Sequence, residues 1–369
     1  MKFLRIKAVA KKELLHIRRD PLSLAMAFLM PLVLLVIFGY AITFDIDNIA
    51  AVVVDQDRSS LSRGFVSALR ESGYFSVIAY PDRYGDIDGY LDSGRARLAV
   101  VIPPGFSKKL RTGGPAQVGV SVDGSDANTA AIAQGYLAAI AGQYPQRIRD
   151  VRVTPLVNAQ TRVWYNPELK SRNFIIPGLI ALIISVIVTL LTSLTIAREW
   201  ERGTMEQLIS TPLKTPELII GKLIPYFFIG FIDTVASVLM GTLVYGVPLR
   251  GSPVLLVALA SIFLFGGLSW GILISIIART QMLASQMAIL STFLPAFLLS
   301  GFMFAIANMP RPLQLVTYLF PARYFVTILK DIFLKGSTLT LLAGEALLLT
   351  VYGLLVFTIA NKKFKKKVV

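Results

Sequence analysis

Stretches of about twenty apolar residues recur along this chain, and few folds are open to a chain that carries them. They run over residues 22–44, 174–196, 223–245, 254–278, 284–304 and 339–359. About twenty helical residues cross the roughly 30 Å hydrocarbon layer of a bilayer. Inside it every backbone N–H and C=O must be satisfied within its own segment, which selects the α-helix. The sequence therefore predicts an α-helical polytopic membrane protein with six transmembrane helices. The first stretch is too long for a signal-peptide core and no small-residue cleavage pattern follows it, so it is expected to stay as a span. Composition agrees, at 54% hydrophobic and 16% charged residues and a mean hydropathy of +0.65.

Charge sets the expected orientation. Six crossings put both ends on one side, together with the loops 197–222 and 279–283. Those four regions hold 17 Lys and Arg against 6 acids, whereas the long segment 45–173 holds 15 against 13. This is the positive-inside signature. Both termini are expected in the cytoplasm. The net charge of +15 is then explained by topology, with no nucleic acid as partner. The tail 361–369, with Asn361-Lys-Lys-Phe-Lys-Lys-Lys367, reads as a contact with anionic membrane lipid.

The expected order along the chain is an amphipathic connecting helix (1–20), the first span (21–44), an inserted extracytoplasmic α/β domain (45–173) and the second span (174–196). A cytoplasmic charged loop follows (197–222), then spans three to six (223–360) with an outer re-entrant hairpin near 305–336, and the basic tail. In the N-terminal helix Phe3, Ile6, Ala10, Leu14 and Ile17 share a narrow arc at 100° per residue, with Lys and Arg around the rest, so it should lie in the membrane interface. Asp20-Pro21 ends it. His16 reads as a solvated surface group.

Segment 45–173 alternates strand and helix. Strand patterns at 49–54, 74–80, 98–102 and 118–122 are interleaved with helical spacing at 59–72, 86–91 and 125–149, and 157–165 leads back to the membrane. With no cysteine, no disulfide secures the domain. Its acidic clusters, Asp55-Gln-Asp57 and Asp123-Gly-Ser-Asp126, follow strands and precede helices, where Asp serves as a turn and cap residue. The segment has no histidine or cysteine, so no metal centre and no catalytic residue is expected.

The stretch Arg198-Glu-Trp-Glu-Arg-Gly-Thr-Met-Glu-Gln-Leu-Ile209 alternates acid and base, which a loop that only fixed topology would not need. Thr204 and Gln207 have capping-box spacing, so a helix of about two turns should start at Met205. Thr215 would cap a second helix with Pro216 at its first position. A small charged helical knob between two spans suits docking to another protein. It is equally compatible with a solvated connector. In the third span Asp233 lies near mid-membrane, where a charge is costly, so it should face the bundle interior or a partner subunit. Glu345 is expected about one and a half turns inside the last span. Asn308-Met-Pro-Arg-Pro312 and Phe320-Pro-Ala-Arg-Tyr324 interrupt the apolar run between the last two spans; residues 309–336 should dip into the bilayer and return.

Several motifs together resemble those of one family, the ABC-2 type permeases, in the subgroup with a large domain after the first span. They are Lys12-Glu-Leu with Arg19-Asp-Pro21, Ala197-Arg-Glu-Trp-Glu-Arg-Gly-Thr-Met-Glu206, Gly221-Lys222, Ser300-Gly-Phe-Met-Phe304, Asn308-Met-Pro310 and Pro321-Ala-Arg-Tyr324. The pattern departs at Ala305-Ile306, where many relatives have a proline. The resemblance implies the membrane subunit of an ATP-driven exporter, working as a dimer with a second copy or a homologue, and in some systems with a periplasmic membrane-fusion adaptor. It makes the knob a coupling helix on an ABC ATPase subunit, with Glu199, Arg202, Thr204, Glu206 and Gln207 as contacts. Asp233, Pro295, Phe304 and Arg323 are candidates for the substrate path or dimer interface. No phosphate-binding G-x-x-x-x-G-K-[ST] run occurs, so this chain should hold no cofactor, ATP and Mg being bound by the partner ATPase. The expected cargo is a hydrophobic or amphipathic, drug-like or lipid-like compound. An ATP-independent secondary transporter and a membrane-anchored sensor or assembly scaffold are the alternatives; the former usually shows repeats and paired midplane charges.

Overall fold

The computed structural model describes residues 2–41, 48–124, 127–148, 165–166 and 170–364. The chain divides into two compact units, 1–43 with 163–369 and 44–162. The expected return segment 157–165 lies outside the described residues apart from Tyr165, as do Asp126 and the last lysines of the tail.

The first unit opens with α1 (Phe3–Arg19), which Asp20 ends in an extended conformation. Helix α2 (Pro21–Leu24) runs through a π-helical segment, Ala25–Leu29, into α3 (Met30–Ala41). The expected first span is thus helical over this stretch but interrupted by the wider π turn, which leaves it the shortest of the apolar helices.

The second unit is a four-stranded sheet in the order β2-β1-β3-β4. The elements, in chain order, are β1 (Ile49–Asp55), α4 (Ser60–Glu71), β2 (Phe75–Ala79), α5 (Ile87–Asp92), β3 (Leu98–Ile102), α6 (Phe106–Arg111), β4 (Gly119–Val122) and α7 (Ala127–Ile148). Strand β1 pairs in parallel with both β2 and β3, while β4 runs antiparallel to β3. Parallel neighbours need crossovers, and helices supply them. Both faces of the central strands are covered, so β1 and β3 read as continuous apolar runs. The acidic cluster behaves as cap chemistry. Asp55 Oδ1 accepts the N–H groups of Asp57 and Arg58 (3.1 and 2.9 Å). Asp57 accepts those of Gly105 and Ser107 (2.8 and 3.1 Å). Ser59 and Ser62 cap α4 reciprocally.

Back in the first unit come α8 (Ser171–Glu201), α9 (Met205–Ser210), α10 (Thr215–Leu243), α11 (Pro253–Ala278) and α12 (Gln281–Leu298). After them stand α13 (Arg311–Thr317), α14 (Pro321–Lys330) and α15 (Ala343–Lys363). Among the described residues five helices are long and apolar enough to cross a membrane: α8, α10, α11, α12 and α15. Helix α8 is the hub, with every residue from Ile175 to Ser185 buried. It packs backbone-close on α11: a β-carbon on Gly271 would come 2.0 Å from Thr192 Oγ1, so only glycine fits. Ser275 of α11 meets the same helix one turn further along, its hydroxyl lying 2.9 and 2.8 Å from the N–H groups of Ile196 and Ala197.

Several boundaries differ from expectation. Helix α10 begins at Thr215 and is continuous with the third span, so no separate second helix follows the knob. Lys214 is its N-cap, and Glu217 accepts the Lys214 N–H (3.0 Å), a role the sequence reading gave to Thr215. Helix α12 stops at Leu298, before the Ser300-Gly-Phe-Met-Phe304 run, so Phe304 lies outside the fifth helix. Helix α15 begins at Ala343, which puts Glu345 in its first turn, where a carboxylate is favoured by the helix dipole, rather than inside the span. Segment 305–336 is broken as expected. It holds a 3₁₀ turn at Ile306–Asn308, then α13 and α14, and then a π-helical turn at Asp331–Lys335. Phe325 stacks on Phe263 with centroids 3.9 Å apart, and Lys330 donates to the Gly301 carbonyl (2.8 Å).

Candidate functional site

The Lys222 ammonium and the Glu13 carboxylate meet where α1, α8 and α10 converge. Lys222 sits two turns into α10 and is 2% exposed; Glu13, on the inner face of α1, is 3% exposed. Lys222 Nζ donates to Glu13 Oε2 at 2.9 Å and to Glu199 Oε1 at 3.3 Å. Tyr226, one turn further along α10, donates to the other Glu13 oxygen at 3.0 Å. A charge this deep is tolerated only when paired and hydrogen-bonded, and removing one partner of such a pair typically costs about 3–5 kcal/mol. Around this core Lys12 donates to Glu199 (2.9 Å), and Thr204 donates to the same carboxylate.

Local sequence explains the convergence. The buried face of α1 is Val9, Glu13 and Ile17, one helical stripe. Phe3, Leu4 and Leu14 are exposed on other faces of the helix. Opposite it on α10 is Gly221. A β-carbon there would lie 2.7 Å from Val9 Cβ and 3.1 Å from the Ile6 carbonyl oxygen, so glycine permits the contact. The N-terminal end of the junction is fixed by Glu217, which is buried and accepts the Lys2 N–H (2.8 Å).

His16 is not a solvated group. It is half-buried against Arg198, whose guanidinium can only donate, so Nε2 must be the unprotonated nitrogen. Burial, and then the Arg198 charge, lower its pKa below the ordinary value of 6.5. Arg198 also lies 3.8 Å from Asp20 and donates through Nε to Gln281 (3.2 Å). Gln281 in turn donates to Glu201, and Arg279 stands 5.4 Å from the Trp200 ring centroid. The turn between α11 and α12 is thereby joined to the end of α8. A hollow of about 120 Å³ lies between Lys12, Glu13, His16, Arg198, Glu199 and Arg202.

Helix α9 begins at Met205 as expected, but not through a capping box: Thr204 makes no cap bond, its hydroxyl being directed to Glu199. Met205 is fully buried and pins the short helix to the core, with Leu208 and Ile209 partly buried beside it. Glu206 and Gln207 are exposed, as is Arg202 just before the helix. The five residues expected on the docking surface therefore divide. Arg202, Glu206 and Gln207 face outward; Glu199 and Thr204 belong to the interior cluster.

The other four candidates are not one site. Asp233 is 3% exposed and its Oδ2 has no hydrogen-bond partner. Pro295 lines a separate apolar cavity. Phe304 is 54% exposed. Arg323 donates to the Gln314 carbonyl (3.2 Å) and to Thr317, and lies 3.6 Å from the Tyr318 ring centroid, tying α14 to α13. Among the described residues no group of acids and histidines has metal-binding geometry.

Residues 21–362 match the family model of the ABC-2 family transporter protein. The chain belongs to the ABC-2 transporter family. This ABC-2 permease is 39% identical over 367 residues to the probable multidrug ABC transporter permease YbhS of Escherichia coli (strain K12), covering 98% of this chain and 97% of that one. It is 32% identical to the probable multidrug ABC transporter permease YbhR of the same organism, over 99% and 100% of the two chains. With the inner membrane transport permease YhhJ it shares 30% identity over 87% and 86%. The chain is thus a membrane protein and the transport component of an ABC system, in which a separate ATPase partner hydrolyses ATP. Sequence reasoning missed Tyr226 and had Glu13 only within the Lys12-Glu-Leu motif. It had Lys222 only as part of a motif, although a lysine two turns into an apolar helix already signals a buried partner.

Proposed function

We propose that this chain is the permease half of an exporter, moving a hydrophobic or amphipathic compound outward across the bacterial inner membrane. Six spans place both termini in the cytoplasm, with α2 and α3 supplying the first crossing and the 44–162 unit outside. Helix α9 presents Arg202, Glu206 and Gln207 to the ATPase, while Glu199 and Thr204 hold the knob to the interior. The observation that carries this reading is the buried cluster directly behind the exposed knob. A push on α9 moves Thr204 and Glu199, and the shared contacts of Glu199 with Lys222 and Lys12 pass the displacement to α10 and α1. A soft, solvated linker would dissipate such a push; an ion-paired junction of three helices transmits it.

A second permease, identical or homologous, would complete the pathway, and a periplasmic membrane-fusion adaptor suits the outer unit. Asp233, with a buried and unpartnered oxygen, supports a polar point on the path or dimer interface. The test is Glu206→Lys in inverted vesicles holding the whole complex. ATP-dependent uptake of a fluorescent hydrophobic dye should fall at least tenfold while the permease still inserts; unchanged uptake would contradict the coupling role of α9.

A further inference from the structure

Away from the charged cluster, α8, α11, α12, α14 and α15 border a partly open cavity of about 250 Å³ within this subunit. Its wall is mostly apolar and rich in rings, with Phe263, Trp270, Phe320 and Tyr352 all lining it. Leu319, 69% exposed, forms part of its rim. One wall differs from the rest. The Thr292 hydroxyl is buried and has no hydrogen-bond partner, although it lines the cavity. Three residues on, Pro295 lines it too and has no N–H to give to the Ser291 carbonyl one turn back. The neighbouring Ser291 hydroxyl, by contrast, is engaged, accepting from Trp270 Nε1 at 3.1 Å.

An unpartnered hydroxyl and a carbonyl that the proline cannot serve therefore neighbour each other in an otherwise apolar, ring-lined space. Buried polar groups left without partners are costly, and a ligand that satisfies them recovers that cost. An apolar cavity of about 150 Å³ is large enough for benzene in an unrelated protein, so this one has room for more than a single bare ring. We infer that the cavity is a binding site for an aromatic molecule of one or two rings bearing a hydroxyl group, with the hydroxyl seated between Thr292 Oγ1 and the Ser291 carbonyl. The hydroxyl accepts from Thr292 and donates to the carbonyl, while the rings lie among Phe263, Trp270 and Tyr352. The site is formed by one subunit and is distinct from Asp233. Its significance as a cargo site rests on the export reading above, but binding itself does not.

The test uses the whole chain in lipid nanodiscs, with Trp164→Phe and Trp200→Phe so that Trp270 is the fluorescent reporter. The probes are 2-naphthol and its apolar isostere 2-methylnaphthalene. Saturable quenching by both is expected, with 2-naphthol about tenfold tighter, the upper range for one net hydrogen bond. Thr292→Val should reduce that preference severalfold and leave 2-methylnaphthalene binding unchanged. Gly267→Leu should abolish both responses by filling the cavity, and its β-carbon fits without strain, 3.6 Å from Val188 Cγ1. Absence of saturable quenching overturns the site, as does a naphthol preference that Thr292→Val leaves undiminished, or binding that survives Gly267→Leu. The assay needs neither ATP nor an ATPase, so its failure leaves the coupling assignment standing, and failure of the Glu206→Lys test leaves this site standing.

Discussion

Lys222 of α10 and Glu13 of α1 form an ion pair at 2.9 Å with side chains 2% and 4% exposed, although 209 residues separate them. The pair is the point at which the N-terminal helix becomes part of the membrane unit.

Replacing Lys222 by Met keeps the apolar stem and removes the charge. Glu13 is then left as a buried carboxylate without its counter-charge, and Glu199 keeps only Lys12. The variant should be destabilised by about 3–5 kcal/mol, the usual result of orphaning a buried partner. The double variant Lys222→Met/Glu13→Gln should recover part of that loss. Thermal unfolding in detergent, followed by intrinsic fluorescence, measures both.

Gly221 makes a second, purely steric prediction. Gly221→Val puts a β-carbon 2.7 Å from Val9 Cβ, closer than packed atoms come. Overpacking of this kind typically costs about 1–3 kcal/mol. Helix α1 should lift from α10, and Lys7, Lys11 and Lys12 should become faster sites of tryptic cleavage. Val9→Gly in the same chain should slow cleavage again.

His16 supplies a pH dependence. Its folded pKa is depressed, so above about 6.5, the value of the free group, the imidazole is neutral folded or unfolded and contributes no slope. As pH falls below that value the unfolded chain takes up the proton more readily, and stability is lost. The thermal midpoint should therefore drop between pH 7 and pH 5.5. His16→Gln, which accepts a hydrogen bond from Arg198 without titrating, should show a shallower drop.

Much of the architecture is legible in the sequence because its signals are local. Apolar length gives α8, α10, α11, α12 and α15, and the alternating pattern gives the elements of the inserted unit apart from the short α6. Proline and glycine runs identify the broken segment after α12. Local signals fail where an end is decided by contacts elsewhere. Thr204 has the spacing of a capping box, yet its hydroxyl goes to Glu199, a carboxylate that a paired lysine from another helix holds in place. Helix α12 was expected to run through Phe304, yet Phe302 folds back over Gly178, whose β-carbon would meet that ring at 2.2 Å. The candidate site was half visible. The outward residues Arg202, Glu206 and Gln207 advertise themselves as charge with no topological need. The interior pair does not, because Glu13 lies on a helix that looks simply amphipathic, and its partner appears only when α1 is laid against α10.

The central claim is that α9 bears on an ATPase from the cytoplasmic side. The chain has no cysteine, so Gln207→Cys provides a single thiol on the exposed face of that helix. Cells carrying this variant and the complete system should be treated with a cell-permeant thiol-to-amine cross-linker, and the permease recovered under denaturing conditions. The account predicts an adduct between position 207 and a cytoplasmic ABC ATPase, together with protection from a membrane-impermeant maleimide added outside intact cells. Labelling from outside, with no ATPase adduct, would contradict it.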